Sequence, residues 1–361
     1  MSTSLDETLR TAVRELADGA GPAPDLAARS LGRGRRLRRR RRVTAAAAAL
    51  VAVAAVTLPF VLFRPRPTPP PPVTTTPSPA VRPTPGADWA RKPLMLPGDW
   101  VVTRAQATDG SGKGVLLDRG RARYFSTNRY YGIAPAPTGS LVAVTDATHP
   151  RQVGIIDLTS GKTRWYEVGR TFTGPTWSPD GRRLLLTGPL DHFGFVVLDL
   201  DGTRKTHPVD MKRFLCTDYC FFVWTRDGRE VALQQTDPNR TRSESARHPR
   251  RGVQLFSADD GRPTRFEPVP GDPAGPWAWS PDGKHVVVQG QQEPLLVETA
   301  TGRVVNPLPT ADVVWVTDDR LLYRRPNGSR DFVLADTAGR ELVRQPLPKQ
   351  LIDLEVSVAP R

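Results

Sequence analysis

Cysteine is almost missing from this 361-residue chain, which holds only Cys216 and Cys220. One disulfide is therefore the most it can form, and no cysteine framework can hold the fold. Histidine is scarce as well. Its five copies, at 149, 192, 207, 248 and 285, are scattered, and no H-E-x-x-H or EF-hand spacing occurs. There is no G-x-S-x-G elbow, so the serine-hydrolase arrangement built on it is not supported. The run Asp109-Gly110-Ser111-Gly112-Lys113-Gly114 has part of the look of a phosphate loop. It lacks the first glycine at the right spacing and the Ser or Thr after lysine, and no helix follows it. Asp191-His192 comes nearest to an acid–base pair, but adjacent residues on a loop seldom face each other. From these absences no catalytic residue, cofactor or metal site is expected, and the chain is not expected to be an enzyme.

Acidic residues are missing from 29–42, which carries nine arginines. The net charge of +14 is concentrated there: from Asp88 onward there are 37 Lys and Arg against 32 Asp and Glu. A bulk basic field is thus not the explanation, and no nucleic acid is expected as a partner. Charge of either sign is missing from 43–63, an Ala-, Val- and Leu-rich run of 21 residues. That is long enough to cross a hydrocarbon core of ~30 Å. Arg33, Arg35, Arg36, Arg38, Arg39, Arg40, Arg41 and Arg42 lead into it, the place where arginine fixes topology and pairs with anionic lipid headgroups. The preceding segment is long for a signal peptide and no small-x-small site follows, so an uncleaved anchor is expected. The N-terminus is then cytoplasmic, and the rest of the chain lies outside the cell membrane.

Residues 1–42 begin with a capping box, Ser4-Leu5-Asp6-Glu7. Leu5, Leu9, Val13 and Leu16 line one helical face, and Gly19 ends it. Two readings stay open: a solvated tail, or a helix within 1–20 that docks on a cytoplasmic partner. Residues 64–87 carry proline at 65, 67, 69–72, 77, 79, 83 and 85. That composition favours a polyproline II spacer, ~70 Å long if fully extended. The expected organisation is a cytoplasmic segment at 1–42, a transmembrane helix at 43–63, a proline-rich linker at 64–87 and an outer domain at 88–361.

The outer domain is built on a repeat. In 175–209 a tight turn, Ser178-Pro179-Asp180-Gly181, leads into the apolar run Leu184-Leu185-Leu186. A second apolar run, Phe195-Val196-Val197-Leu198, ends in Asp199-Leu200-Asp201-Gly202. The spacing predicts four antiparallel strands whose two bare faces need neighbours. The second turn recurs with Gly120, Gly161 and Gly202 spaced 41 residues apart, then with Gly261, Gly302 and Gly339. The first turn recurs at Trp224-Thr225-Arg226-Asp227-Gly228 and Trp279-Ser280-Pro281-Asp282-Gly283, and in weaker copies elsewhere. A period near 40 with four strands per repeat marks a β-propeller. Six repeats fit, at about 96–127, 133–168, 175–209, 221–269, 277–308 and 313–347. The fold class is therefore all-β, a six-bladed propeller of four-stranded antiparallel blades. The run Gln350 to Val358 is the candidate strand to close the ring on the first blade.

The WSPDG turn resembles the TolB/PD40-type WD40-like propeller repeat over roughly 88–361. That resemblance implies fold and little about function, because propellers host many activities. Trp177, Trp224, Trp277, Trp279 and Trp315 sit at or before the first strand of a blade, where they pack between blades or form an aromatic platform. Cys216 and Cys220 flank three residues, and a disulfide staple and two buried thiols both remain open. Any binding surface is expected on the rim where second and third strands are joined. The candidates there are His149, Arg151, Asp191, His192, Arg240, Arg242, Arg247, His248, Gln291 and Gln292. The insertion in the fourth blade, with Arg250 and Arg251 as well, is either a polar loop or a basic lip for an anionic ligand. Two functions fit. One is a tethered outer binding module for a protein, peptide or glycan. The other is a transmembrane signalling protein whose N-terminal helix holds a cytoplasmic regulator. The latter looks like some actinobacterial anti-sigma-type proteins, but 1–42 has neither the His nor the Cys of their zinc-binding pattern.

Overall fold

The structure, a computed structural model, describes residues 78–109, 111–130, 132–169, 174–189, 193–241, 247–326 and 330–361. The capping box, the arginine run, the apolar run 43–63 and residues 64–77 lie outside the described residues. Among the described residues no helix is long and apolar enough to cross a membrane.

The third repeat shows how the sequence makes a blade. Its strands are Thr176–Trp177, Arg183–Pro189, Phe193–Asp199 and Arg204–Pro208, in that order across one antiparallel sheet. The Ser178 hydroxyl donates to Asp180 Oδ1 at 2.5 Å and accepts from the Arg183 N–H at 3.0 Å, while Gly181 takes a φ of 71°. The same bonds recur with Ser280 and Asp282 in the fifth blade, and Thr225 and Asp227 in the fourth keep the plan with threonine for serine. Burial works against the Asp282 carboxylate, but the Lys284 N–H, the Ser280 hydroxyl and the Lys284 side chain hold its pKa down to about 2. The turn is thus a preformed carboxylate cage that reverses the chain in four residues.

Both faces of the central strands are buried. Leu184, Leu186, Val196 and Leu198 pack with Ala143, Val153 and Ile155 of the second blade. The alternate residues Leu185, Phe195 and Val197 pack with Trp224, Val231, Leu233 and Phe256 of the fourth. Each such side chain contributes about 2 kcal/mol, and one set is covered by each neighbour. A lone repeat could not fold, and a ring satisfies all six. The blades occupy 95–127, 132–167, 176–208, 223–267, 272–307 and 313–345, so the chain is a six-bladed propeller.

Tryptophans fasten blade to blade. Trp177 Nε1 donates to Ala134 O at 2.7 Å, Trp224 Nε1 to Thr176 O at 3.1 Å, and Trp315 Nε1 to Ala278 O at 2.9 Å. In each case the acceptor lies on or beside the innermost strand of the preceding blade.

The ring is closed from both chain ends. The strand Glu355–Pro360 pairs antiparallel with Trp100–Gln106 of the first blade, from Glu355 opposite Gln106 to Pro360 opposite Trp100. It begins later than the run from Gln350 suggests. Arg324 draws the carbonyls of Leu351, Ile352 and Leu354 onto its guanidinium, which curls 349–351 into a 3-10 turn ahead of the strand. At the other end Ala80–Val81 pair in parallel with Val343 and Arg344, adding a fifth strand to the sixth blade. These two residues fall inside the proline-rich stretch, so the folded ring takes in residues before Asp88. They stand between Pro79 and Pro83, where backbone N–H groups are free to donate, and the Arg82 N–H does so to Arg344 O at 2.8 Å.

One buried acid gives a pH signature. Burial raises the Glu267 carboxyl above the ordinary glutamate range, with Arg265 opposing and Glu230 adding to the rise. Its Oε1 meets Arg265 Nε at 3.1 Å, and its Oε2 has no hydrogen-bond partner among the described residues. The folded state thus prefers the protonated form: stability is full at low pH and declines as pH rises from the unfolded value through the folded one. Glu267→Gln is expected to raise the melting temperature at pH 7.5 and to leave it unchanged near pH 4. A lower melting temperature at pH 7.5 would show that the Arg265 pair outweighs the desolvation.

Candidate functional site

A propeller has two unlike ends. Here the S-P-D-G and D-x-x-G turns gather at one, and the loops between second and third strands gather with the blade-to-blade links at the other, the rim. The rim set expected from sequence is not brought together. His149 stacks on Trp165 with ring centroids 4.0 Å apart, and Arg151 pairs with Glu167 at 3.1 Å, both on the second blade. Arg240 turns back to Asp237 at 3.5 Å, and Gln291 and Gln292 form an exposed turn of the fifth blade. Asp191, His192 and Arg242 lie outside the described residues. Of the described members of the set, only Arg247 and His248 stand at a cavity or its wall.

That cavity, about 410 Å³, lies at the rim between the third, fourth and fifth blades. Its wall is a buried charge network. The Arg250 side chain is 3% exposed and bonds Asp272 Oδ1 at 2.6 Å, Asp218 Oδ1 at 3.1 Å and Asp218 O at 2.7 Å. Arg247 donates to Asp272 Oδ2 at 2.8 Å and lies over the Tyr219 ring, 4.2 Å from its centre. The His248 N–H donates to Asp218 Oδ2 at 3.3 Å. Two arginines thus face two aspartates, and Arg251 lies over Phe266. Of the arginines in this insertion, Arg247 and Arg250 are paired with carboxylates, so the charges of this wall are matched.

The loop that carries Asp218 and Tyr219 is held at its ends. Cys216 and Cys220 are joined by a disulfide with Cα atoms 5.9 Å apart. Within it Tyr219 takes a φ of 51°, a conformation non-glycine residues seldom adopt. Tyr219 is 52% exposed, and Phe221 is 43% exposed beside it. Beneath them Phe222 packs into the core, its N–H bonded to Thr187 Oγ1 at 2.8 Å. Gln234 lines the same cavity, is only 4% exposed, and has no side-chain hydrogen-bond partner among the described residues.

Toward the turn end, side chains of several blades come together. The innermost strand of the fifth blade is interrupted after Asp272–Pro273 by the 3-10 turn Pro276–Ala278, and resumes at Trp279 opposite Val286. This puts Trp277 edge-on to Trp100 of the first blade at 5.3 Å, with Arg226 of the fourth blade over its ring at 4.6 Å. Arg226 also donates to Trp315 O of the sixth blade at 3.2 Å. Burial lowers its pKa, and Asp318 opposes that fall. Four blades therefore meet around one indole at the turn end.

Several residues of this site escaped the sequence reading. Tyr219, Phe221, Gln234 and Asp272 carry it, and two signals pointed to them. Tyr219 and Phe221 alternate around Cys220 in a chain with only 7% aromatics. Gln234-Gln235 interrupts Glu230–Thr236, a strand buried throughout, where polar side chains need a reason. Among the described residues no group of three or more His, Cys, Asp or Glu is placed to hold a metal ion.

No protein-family model and no curated protein matches the chain. Solved structures similar to it include the dihydro-heme d1 dehydrogenase NirN, at 17% identity and a TM-score of 0.41 over 73% of this chain and 57% of that one. The acylaminoacyl peptidase of Pyrococcus horikoshii is 15% identical, with a TM-score of 0.43 over 67% of this chain and 44% of that one. The β-propeller domain of the Trilobed protease from Pyrococcus furiosus is 12% identical, with a TM-score of 0.43 over 68% of this chain and 82% of that one. The chain spans little more than half of the dehydrogenase and less than half of the peptidase. At these identities the likeness is to the fold only. One expectation is corrected here. An enzyme was excluded because no catalytic motif is present, yet the similar structures include a dehydrogenase and peptidases. Catalytic groups are assembled in space from distant residues, so missing linear motifs are no ground for that exclusion.

Proposed function

We propose that this chain is a binding module held outside the cell membrane, and that its rim cavity on blades three to five takes a segment of a partner protein. The arginine run and the uncharged stretch 43–63 support a single span with the N-terminus inside, and the proline-rich residues support a stiff tether. The recurring turns support kinship with TolB/PD40-type repeats. The observation that carries the reading is the pair of exposed aromatics, Tyr219 and Phe221, at a cavity mouth. Exposed aromatic area on a rigid support is what recognition sites use, and the strained Tyr219 is held there by a disulfide loop and a stacked arginine.

The test is photo-crosslinking in intact cells, with p-benzoylphenylalanine placed in the full chain either at Phe221 or at Asp260, on a turn of the opposite end. A discrete protein adduct from position 221, absent from position 260, is expected. Adducts from position 260 alone, or none from 221, would overturn the reading.

A further inference from the structure

We infer that the rim cavity takes a short, uncharged, extended peptide segment, inserted through the mouth as a loop or a chain end, with a main-chain amide of the segment paired to the Gln234 side chain. This rests on the rim reading above and goes further by naming the ligand chemistry and the residue that reads it.

Three observations carry it. First, Gln234 is 4% exposed as a residue, lines the cavity, and has no side-chain hydrogen-bond partner among the described residues, so its amide is open to the cavity. A carboxamide offers one acceptor and two donors, which complements the C=O and N–H of a peptide unit. A ligand that covers this amide must pair with it or leave it unsatisfied, so a matching main-chain amide is favoured over a group that cannot bond. Second, the rest of the lining is mostly apolar, with Leu185, Phe221, Phe222, Val223, Pro273 and Ala311 around it. A glycan would bring several hydroxyls for each apolar face and find few partners here, whereas a peptide brings one amide for each side chain. Arg247 and Arg250 are already matched by Asp218 and Asp272, so the wall adds no net attraction for a charged ligand. Third, Tyr219 and Phe221 stand exposed where the cavity opens at the rim, the side from which a loop or chain end enters.

The strand directions show where the chain joins the ring. Ala80–Val81 run parallel to Glu341–Gln345, which starts at the turn Asp336 to Gly339 and heads for the rim. The polypeptide therefore joins the ring from the turn end.

The experiment uses the full chain in detergent micelles and a library of heptapeptides acetylated and amidated at their ends, with a glycan array run in parallel. Selected peptides are expected to share a central apolar or aromatic residue and carry no net charge. Gln234→Met, which keeps the volume and removes the amide, should weaken their binding about tenfold, the effect of one buried hydrogen-bonded pair, with an unchanged melting temperature. Tyr219→Ala should weaken it at least as much. Binding lost in Tyr219→Ala but intact in Gln234→Met overturns the amide pairing and leaves the rim reading standing. Peptides indifferent to both variants overturn both readings. No selected peptide, or glycans alone bound in a Tyr219-dependent way, overturns the peptide assignment.

Discussion

A chain that stops at Leu347 is expected to lose cooperative unfolding of the ring, not merely to melt a few degrees earlier. The missing residues include Glu355–Pro360, which pairs with Trp100–Gln106 over six positions. They also include Leu351, 1% exposed in the core that holds Trp100, Val101 and Leu322. A strand paired over six positions, at roughly 1 kcal/mol per position, and one buried leucine at about 2 kcal/mol come to about 8 kcal/mol. That is comparable to the whole stability of a typical domain, about 5–15 kcal/mol. Arg324 would lose its three carbonyl acceptors, and Arg104 its bonds to Ser357 and Glu355. Thermal unfolding followed by circular dichroism should show a broad transition in place of a single sharp one. A sharp transition at the melting temperature of the full chain would mean that the first blade does not depend on the C-terminal strand.

Asp272→Ala is expected to be the most damaging single substitution at the rim. Asp272 neutralises two arginines, and the Arg250 side chain is 3% exposed. Removing one member of a buried pair leaves a charge without its counter-ion, at a cost of ~3–5 kcal/mol. Asp218 still contacts Arg250, which places the expected loss near about 3 kcal/mol and the fall in melting temperature at roughly 6–10 °C. Asp237→Ala, which removes an exposed pair with Arg240, should change little, within about 0.5 kcal/mol. Equal effects of the two would mean that the Arg250 network adds no more than a surface ion pair.

The fold was legible because its information is local and repeated. A Ser or Thr two residues before Asp, with Gly next, specifies a turn through bonds inside five residues, as Ser178 and Ser280 show. Alternation within Leu184-Leu185-Leu186 then needs two neighbouring sheets, and the period supplies them. The rim was not legible in the same way. Arg247 and Arg250 read as solvent-facing charges in a long insertion, and their partner Asp272 is 22 residues beyond Arg250, on the next blade. Only the ring brings them together. Trp277 read as one more packing tryptophan. The glycines and prolines from Gly271 to Pro276 break the inner strand, and that break carries its ring to the axis. Ala80 and Val81 were hidden by the prolines around them, although they lie in a gap where the backbone can still donate.

The closure of the ring is tested most directly by native-state hydrogen exchange of the intact chain, read at the amides of 355–359. Chain termini normally fray and exchange freely. A strand built into the first blade should instead be protected as strongly as the central strands Arg183–Pro189 and Glu230–Thr236. Exchange of these amides at the rate of an unstructured tail, with the other blades still protected, would contradict the closed six-bladed ring.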